Sequence, residues 1–490
     1  MRAYRIAPAI LILVLSLARF AHATYPDFYT YDPLFNGGHY LADGMDNGGN
    51  SLGQKLARLS NGDILAVGLV SKSCQGSASN GLFHIGLARY TASGGNGSWN
   101  FPDSYTCGSI GGPHLVYPTT ADAKFVRIDD VAVHNGHIYV MADCECAYPS
   151  TSRDVMIEVF NEQGAWENEY GAFATGFDEW GAGLVASSYT VANPFPVTFH
   201  SLTAVATYDN AGRHIVTAAG YAVNKTDGSL TPNNAFGPYN SGRNDYPAAD
   251  NFCSANANCT VEAAATTALR TGTDSPTIYV AASTLWSGND WNIAMLEIDG
   301  TGAGQWDMTY SFARGGDNDD RAVSITASAG SSGDEVFLAA QVSTGSNSSG
   351  FALAKFTHAN GIEGSLVIAD GDVTTGRVYG YAIAMEGNLI GAVGSRSYTF
   401  GSGGYDPFLV VLTNNFTILD NHAQRLANPV CNPITHICFQ TDGEYYGIIG
   451  SGDGGFYATG LSNDSSLDHT EFATAKFSND RIFGDDFEGP

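Results

Sequence analysis

The 490-residue chain carries 22 Lys and Arg against 49 Asp and Glu, a formal charge of −27, yet only 14% of its residues are charged. That balance argues against nucleic acid, whose binding rests on Lys and Arg at phosphates, and against docking on anionic lipid; the acid excess itself speaks to solubility rather than fold. The 59 Gly and 12% aromatic residues suit an all-β protein with many turns and exclude a helical bundle.

At the N-terminus, Arg2 and Arg5 precede an apolar run from Ala7 to Ala18, and Arg19-Phe20-Ala21-His22-Ala23 supplies an A-x-A cleavage pattern. This reads as a secretory signal peptide over residues 1–23. The run is short of the roughly 20 apolar residues that span a bilayer. The mature chain is expected to begin near Thr24 and to carry no transmembrane segment. Extracellular or cell-surface export is expected, with the periplasm as an alternative.

Beyond Thr24, one hairpin pattern recurs seven times. Its turns are Asn61-Gly62, Asn135-Gly136, Asp209-Asn210-Ala211-Gly212, Thr271 to Pro276, Gly330 to Asp334, Glu386-Gly387-Asn388 and Gly452-Asp453-Gly454. Tight hairpins need residues that tolerate positive φ, which explains the Gly, Asn and Asp. The flanks are β-branched and aromatic runs of strand length. A third strand follows in most copies, from IGLARY at Ile85 to FATAKF at Phe472, but copy three, with its polar Asn224 to Asn258, lacks a clear one. A weaker fourth, outer strand is expected after the next turn, where Trp99, Trp166 and Trp306 fall.

Four-stranded units repeated radially make a β-propeller. The first strand of each hairpin is rich in Ala (Ala57, Ala132, Ala204, Ala206, Ala263 to Ala265, Ala322, Ala382 and Ala384), which suits the innermost strand where blades crowd the axis. A β-solenoid would show shorter, stricter periods. The expectation is a single all-β propeller over residues 24–478 with seven four-stranded antiparallel blades, six or eight being the alternatives. The stretch from Tyr25 to Tyr31 is placed as a closing strand on the last blade, and residues 479–490 form an acidic tail.

The opening Tyr31-Asp32-Pro33-Leu34-Phe35-Asn36-Gly37-Gly38, with NGDILAVG and GLARYTASG after it, resembles the bacterial delta-60 repeat. The resemblance is closest in copies one and five and weakens in copies three and seven. It implies a propeller in a secreted or surface protein and assigns no biochemical role. The terminal Asp480 to Glu488 is similar to the "IFxDGFE" tails of exported proteobacterial proteins, with Asp486 in place of the usual Gly; this implies a sorting or processing tag.

Eight cysteines behind a signal peptide read as disulfides. Cys253 with Cys259, and Cys431 with Cys438, are spaced as local staples. Cys144 and Cys146 are too close to join each other comfortably and are expected to reach Cys74 and Cys107, in either order. No paired C-x-x-C motif supports zinc.

Catalytic motifs are sparse. Gly49-Asn50-Ser51-Leu52-Gly53 spells a nucleophile elbow without the helix that must follow. Gly450 to Gly455 spells G-x-G-x-x-G inside a hairpin, which rejects dinucleotide binding. His134 and His137 flank one turn and lack a third metal ligand, so they read as turn-flanking residues. Asp129-Asp130 and Asp317-Asn318-Asp319-Asp320 both precede an inner strand, near one mouth of the channel; Asp43, Asp46 and Asn47 form a third group. Their oxygens suit calcium, the one candidate ion, although none matches the D-x-[DN]-x-[DN]-G loop; they are read as solvated strand-starting residues, and no cofactor is expected.

Two functions remain. The first is a non-catalytic scaffold that binds a protein or glycan through variable loops. The alternative is an extracellular glycoside hydrolase or lyase with acids at the axial channel. Titratable groups converging on the axial mouth favour the second, and scattered acids sink it.

Overall fold

The computed structural model describes residues 29–36, 41–43, 50–71, 84–100, 112–117, 123–146, 153–173, 175–191, 196–237, 242–247, 260–269, 275–285, 290–312, 319–330, 333–345, 348–357, 361–370, 378–397, 405–423, 430–431, 438–439, 443–463 and 470–479, which form strands and turns and no helix. Two short strands come first, β1 (Tyr29–Tyr31) and β2 (Leu41–Asp43). Blade 1 is β3 (Ser51–Arg58), β4 (Ile64–Val70), β5 (His84–Tyr90) and β6 (His114–Tyr117). Blade 2 is β7 (Ala123–His134), β8 (His137–Cys146), β9 (Arg153–Asn161) and β10 (Trp166–Gly171). Blade 3 is β11 (Glu179–Val191), β12 (Val197–Asn210), β13 (Arg213–Val223) and β14 (Leu230–Pro232), with β15 (Arg243–Tyr246) also paired to β13. Blade 4 is β16 (Val261–Leu269), β17 (Thr277–Leu285), β18 (Trp291–Ile298) and β19 (Gly304–Tyr310). Blade 5 is β20 (Asp320–Gly330), β21 (Gly333–Gly345), β22 (Ser348–Thr357) and β23 (Gly361–Asp370). Blade 6 is β24 (Val378–Glu386), β25 (Leu389–Ser397), β26 (Tyr405–Thr413) and β27 (Ile418–Ala423). A two-stranded pair, β28 (Val430–Cys431) and β29 (Cys438–Phe439), follows. Blade 7 is β30 (Gly443–Gly450), β31 (Phe456–Asn463) and β32 (Thr470–Asn479), completed by β1.

Each blade is an antiparallel meander with its first strand innermost. The inner strands touch in the sequence β3, β7, β11, β16, β20, β24, β30 and back to β3, so the ring closes and the fold is a seven-bladed β-propeller. The apolar core is divided accordingly. Leu65 and Val67 pack against Val131 and Val140 between blades 1 and 2, Val393 and Leu409 against Tyr445 and Ile448 between blades 6 and 7, and Ile64 and Ala66 against Tyr457 and Phe472 between blades 7 and 1. Every interface between neighbouring blades has such a cluster. This is why a second strand such as β4 is buried along its whole length: both faces of the sheet meet another sheet.

The N-terminal segment closes the ring as expected. β1 pairs antiparallel with β32, with Tyr31 opposite Phe477 and their rings stacked 5.2 Å apart. The Lys476 ammonium lies 2.7 Å from Asp32 and 2.6 Å from Asp453, tying the N-terminal segment to the blade 7 turn. Phe35 is buried against Tyr457. β32 is thereby covered over Phe477–Asn479, and β2 covers Phe472–Thr474, so the long strand is replaced at the edge by two short ones that offer little template for strand addition.

Blade 3 corrects the expected register. The Asp209 to Gly212 turn joins β12 to β13, the second and third strands, not the first and second. The innermost strand is β11, whose EWGAGLVASSYTV is rich in Gly, Ala and Ser over its first ten residues, and Ala204 and Ala206 belong to the second strand. The third strand thought missing is β13, and the polar stretch after it supplies β14 and β15. The misreading has a simple cause. The β12–β13 connection has the strongest turn signal, with Ala211 at φ 56° and Gly212 at φ 84°, whereas residues joining β11 to β12 lack an Asn-Gly or Asp-Gly pair.

Cys144 is buried in β8 and disulfide-bonded. The backbone register sets Cys431 opposite Cys438 across β28 and β29. Cys74, Cys107, Cys253, Cys259, Asp46, Asn47, Asp317, Asn318, the 1–23 segment and residues 480–490 lie outside the described residues. No helix among the described residues is long and apolar enough to cross a membrane.

Candidate functional site

Every inner strand carries a β-bulge at the same place. The ladder to the second strand skips one residue after Gly53, Ile128, Gly181, Ala263, Ala322, Gly380 and Tyr445. The extra residues are Gln54, Asp129, Ala182, Ala264, Val323, Tyr381 and Tyr446. Opposite each bulge, the second strand has only Gly or Ala: Gly68, Ala142, Ala206, Ala282, Ala340, Gly394 and Gly460. Two residues crowd against one at a bulge, and the bulged strand bends there, which re-aims its side chains. Small partners leave room: a Cβ on Gly68 would sit 1.8 Å from the Leu52 carbonyl oxygen.

At this level a backbone N–H on the inner strands of blades 2 to 6 needs an acceptor, and the preceding blade supplies one. Asp143 accepts from Gly181 N at 2.8 Å, Thr207 from Ala263 N at 2.8 Å, Ser283 from Ala322 N at 2.9 Å and Gln341 from Gly380 N at 3.0 Å. All four acceptors follow the small residue of their second strand. In blade 1 that position is Leu69, and the Gln54 amide oxygen serves instead, accepting from Ile128 N at 2.9 Å. A ring of side-chain latches thus joins blades 1 to 6 around the axis.

Inside this ring is a cavity of about 370 Å³, lined among others by six of the seven bulge residues: Gln54, Asp129, Ala264, Val323, Tyr381 and Tyr446. Its volume falls in the range of small-molecule sites, roughly 300–1,000 Å³. Three charged or aromatic clusters meet there. In the first, Arg127 Nε donates to Asp129 at 2.6 Å, and its Nη2 reaches the Gly181 carbonyl at 2.7 Å and Asp143 at 3.1 Å. Arg153 also donates to Asp143. Burial, and then the neighbouring Asp143 carboxylate, push the Asp129 carboxyl well above the usual range against the pull of Arg127. Asp129 thus lines the cavity as a carboxyl that is harder to ionise than usual.

In the second cluster, Glu262 is 2.7 Å from Arg321 and 2.8 Å from His214. The Arg321 guanidinium lies 3.4 Å from the centre of the Trp291 ring. In the third, the Tyr381 hydroxyl donates to Glu444 at 2.7 Å, and the Tyr381 and Tyr446 rings stand 4.7 Å apart. Burial, and then the Glu444 carboxylate, raise the Tyr446 phenol. Burial also raises Tyr381, with Glu444 adding to it. Both stay neutral donors. Lys55, Arg127 and Arg321 line the cavity with Asp129 and Glu262, three basic groups against two acidic ones in a chain of charge −27.

The acids singled out in sequence divide. Asp129 lines the cavity. Asp130 instead accepts from Leu184 N and Val131 N at 2.8 and 2.9 Å. Asp320 accepts from Phe312 N at 2.7 Å, and Asp319 from Trp291 N at 3.3 Å. Asp43 sits in β2 on blade 7. Among the described residues, no three His, Cys, Asp or Glu gather as a metal site. Ser51 is fully buried, donating to Thr470 O at 3.3 Å and accepting from Phe472 N at 3.1 Å, so it binds blade 1 to blade 7 and is no nucleophile. Gly450 to Gly455 form the blade 7 hairpin. His134 and His137 are cross-strand partners, but His137 bonds Glu167 at 2.6 Å while His134 meets His200. The sequence reading missed Gln54, Lys55, Arg127, Glu262, Arg321, Tyr381 and Tyr446. Their signal was positional: each lies within two residues of the bulge, and only alignment of the inner strands against one another brings them into one ring.

No protein-family model matches the chain, and no curated protein does. Solved structures match at low identity. A protein of unknown function from Dyadobacter fermentans DSM 18053 is 9% identical with a TM-score of 0.38, covering 74% of this chain and 100% of that one. The phage phi92 endosialidase is 11% identical with a TM-score of 0.44, covering 92% and 70%. The β-propeller domain of the Trilobed protease from Pyrococcus furiosus is 10% identical with a TM-score of 0.38, covering 86% and 95%. Likenesses this distant carry no functional argument.

Proposed function

We propose that this protein is an exported β-propeller that binds an acidic carbohydrate at its axial mouth. The observation that carries this reading is a cationic, aromatic-walled cavity inside an acidic chain. Arg127 and Arg321 each keep about two-fifths of their side chains exposed (44% and 41%), available to a carboxylate that matches the guanidinium fork. Tyr381 and Tyr446 offer ring faces beside them. The signal-peptide pattern, the cysteine usage and the resemblance to delta-60 repeats support an extracellular or surface setting, with the Cys253–Cys259 and Cys431–Cys438 staples formed there.

Calorimetric titration with oligogalacturonate and with a neutral oligosaccharide of equal length tests the proposal. Binding of the acidic chain alone is expected, and Arg321→Gln should weaken it on the order of 10- to 100-fold, the worth of a charged hydrogen bond. Equal affinity for both oligosaccharides, or none for either, refutes it.

A second reading, glycoside cleavage, is favoured by one specific feature: burial and the neighbouring Asp143 push the Asp129 carboxyl at the cavity wall upward, the direction a general acid needs. Release of reducing ends from a bound oligosaccharide, abolished in Asp129→Asn with binding retained, is the outcome that reading requires. Binding without products leaves the protein a scaffold.

A further inference from the structure

The ring of latches changes at blade 6. There the residue after the small partner of the bulge is Ser395, the counterpart of Asp143, Thr207, Ser283 and Gln341. Its hydroxyl turns to a different pair. It donates to Glu444 Oε2 at 3.3 Å and stands 3.5 Å from Tyr381 Oη. Tyr381 Oη donates to the same carboxylate oxygen at 2.7 Å. Ser395 is fully buried, so it fixes the carboxylate in place. Among the described residues Glu444 forms no ion pair, and its partners are hydroxyls. A nucleophile within hydrogen-bond reach of a base, with a third group orienting the base, has this constellation. A mere tie between blades could sit anywhere along the strands; this one stands at the level of the bulges, with Tyr381 in the cavity wall.

The charges of the cavity bear on which glycoside suits the pair. Glycosidases mostly attack with a carboxylate, and some with tyrosine. A carboxylate is repelled by a sugar whose own carboxylate is borne on the anomeric carbon; a neutral phenol is not. Glu262, the other acid of the cavity wall, is engaged by Arg321 and His214. Arg321 comes from β20, the inner strand beside the β24 of Tyr381. A carboxylate held on its guanidinium would lie close to the carbon that Tyr381 attacks.

We propose, on the reading that the cavity binds an acidic carbohydrate and that Asp129 is the acid of its cleavage, that Tyr381 is the nucleophile and Glu444 its base in the retaining hydrolysis of keto sugar acid glycosides. Tyr381 Oη attacks the anomeric carbon as its proton passes to Glu444. The bond from that carbon to the leaving oxygen breaks, and the leaving oxygen takes the proton of Asp129. Water then attacks the same carbon and gives a proton to Asp129, while the bond to Tyr381 Oη breaks and the phenol recovers its proton from Glu444. Burial, with Glu444 adding to it, raises the Tyr381 phenol, so the attacking group is the O–H and not the phenolate.

The test incubates the full chain with difluorinated neuraminic and octulosonic acids, in which fluoride is the leaving group and the second fluorine slows release of the adduct. Fluoride departs without a proton, so the readout does not depend on Asp129. Peptide mass spectrometry is expected to find the sugar on Tyr381 with at least one probe. Tyr381→Phe should abolish the adduct while calorimetry shows the probe still bound. Glu444→Gln should slow its formation roughly 10²- to 10⁴-fold, the worth of a general base, an effect that a tie between blades would not produce in a chain of unchanged circular dichroism. Binding of a probe without an adduct, or an adduct on any other residue, overturns the proposal and leaves the acidic-carbohydrate reading standing. Binding of neither probe also overturns it, and that reading falls with it when oligogalacturonate fails to bind as well.

Discussion

Ser51 shows how a side chain's role follows from where its neighbours come from. Its letters fit a nucleophile elbow, but both hydrogen bonds cross to blade 7, at Thr470 and Phe472. Ser51→Ala leaves the Phe472 N–H buried and unserved, which costs about 1–3 kcal/mol; a lower midpoint in denaturant with an unchanged slope is the expected result. Glu158 poses a different residue-scale problem. It is almost wholly buried on β9, with Trp166 Nε1 donating to its Oε2 at 2.9 Å. Burial pushes its carboxyl from an ordinary 4.5 up to about 8. Between those values the folded chain keeps a proton that the unfolded chain has lost, so stability falls as pH rises through that window. Glu158→Gln retains the acceptor for Trp166 and should flatten the decline in Tm between about pH 5 and about pH 8. An unchanged slope would show that Glu158 ionises normally. Neither the burial of Glu158 nor the upward shift of Asp129 was legible in sequence, because both depend on which strands are set beside the carboxyl: Trp166 on β10 for Glu158, Asp143 on β8 for Asp129.

The hairpin turns were the most legible elements, since their chemistry is local. Asn135 and Gly136 both take positive φ, at 52° and 82°, as the two-residue hairpin turn demands. Ala211 takes φ 56° at the corresponding place in the β12–β13 turn. A Cβ is disfavoured there, so Ala211→Gly should stabilise the fold by about 1 kcal/mol, read as a rise in Tm; a fall would mean that the Ala211 methyl makes a contact worth more than the strain. The bulges were not legible, because a bulge is a relation between two strands. Gln54 and Tyr381 look like ordinary strand residues until Gly68 and Gly394 are set opposite them. The bulge also turns element into site: the ring of Gln54, Asp129, Tyr381 and Tyr446 exists because each inner strand bends at the same level.

At the scale of the molecule, the ring is held by interfaces between blades, each with its own apolar cluster, and only one of them relies on the two ends of the chain. Deleting residues 24–36 removes β1, the Asp32–Lys476 ion pair and the buried Phe35. It also leaves β32 unpaired on its outer side over Phe477–Asn479, where β1 lay, while β2 still covers Phe472–Thr474. The truncated chain should melt several degrees lower and aggregate more readily; an unchanged melting point would mean that closure rests on the inner strands alone. The sequence by itself determined the all-β class and pointed to seven blades and an N-terminal closing strand, because strand patterning and turn residues are encoded within each stretch of chain; closure of the ring at seven was decided by the tertiary structure. It misplaced the register of blade 3, where the strongest turn signal lies between the second and third strands. The tertiary structure alone decided the site. Arg127, Glu262, Arg321, Tyr381 and Tyr446 come from blades 2, 4, 5, 6 and 7, and His134 meets His200 from the next blade. Such encounters are fixed by ring closure and inter-blade packing over long sequence separations, which leave no local pattern in the chain.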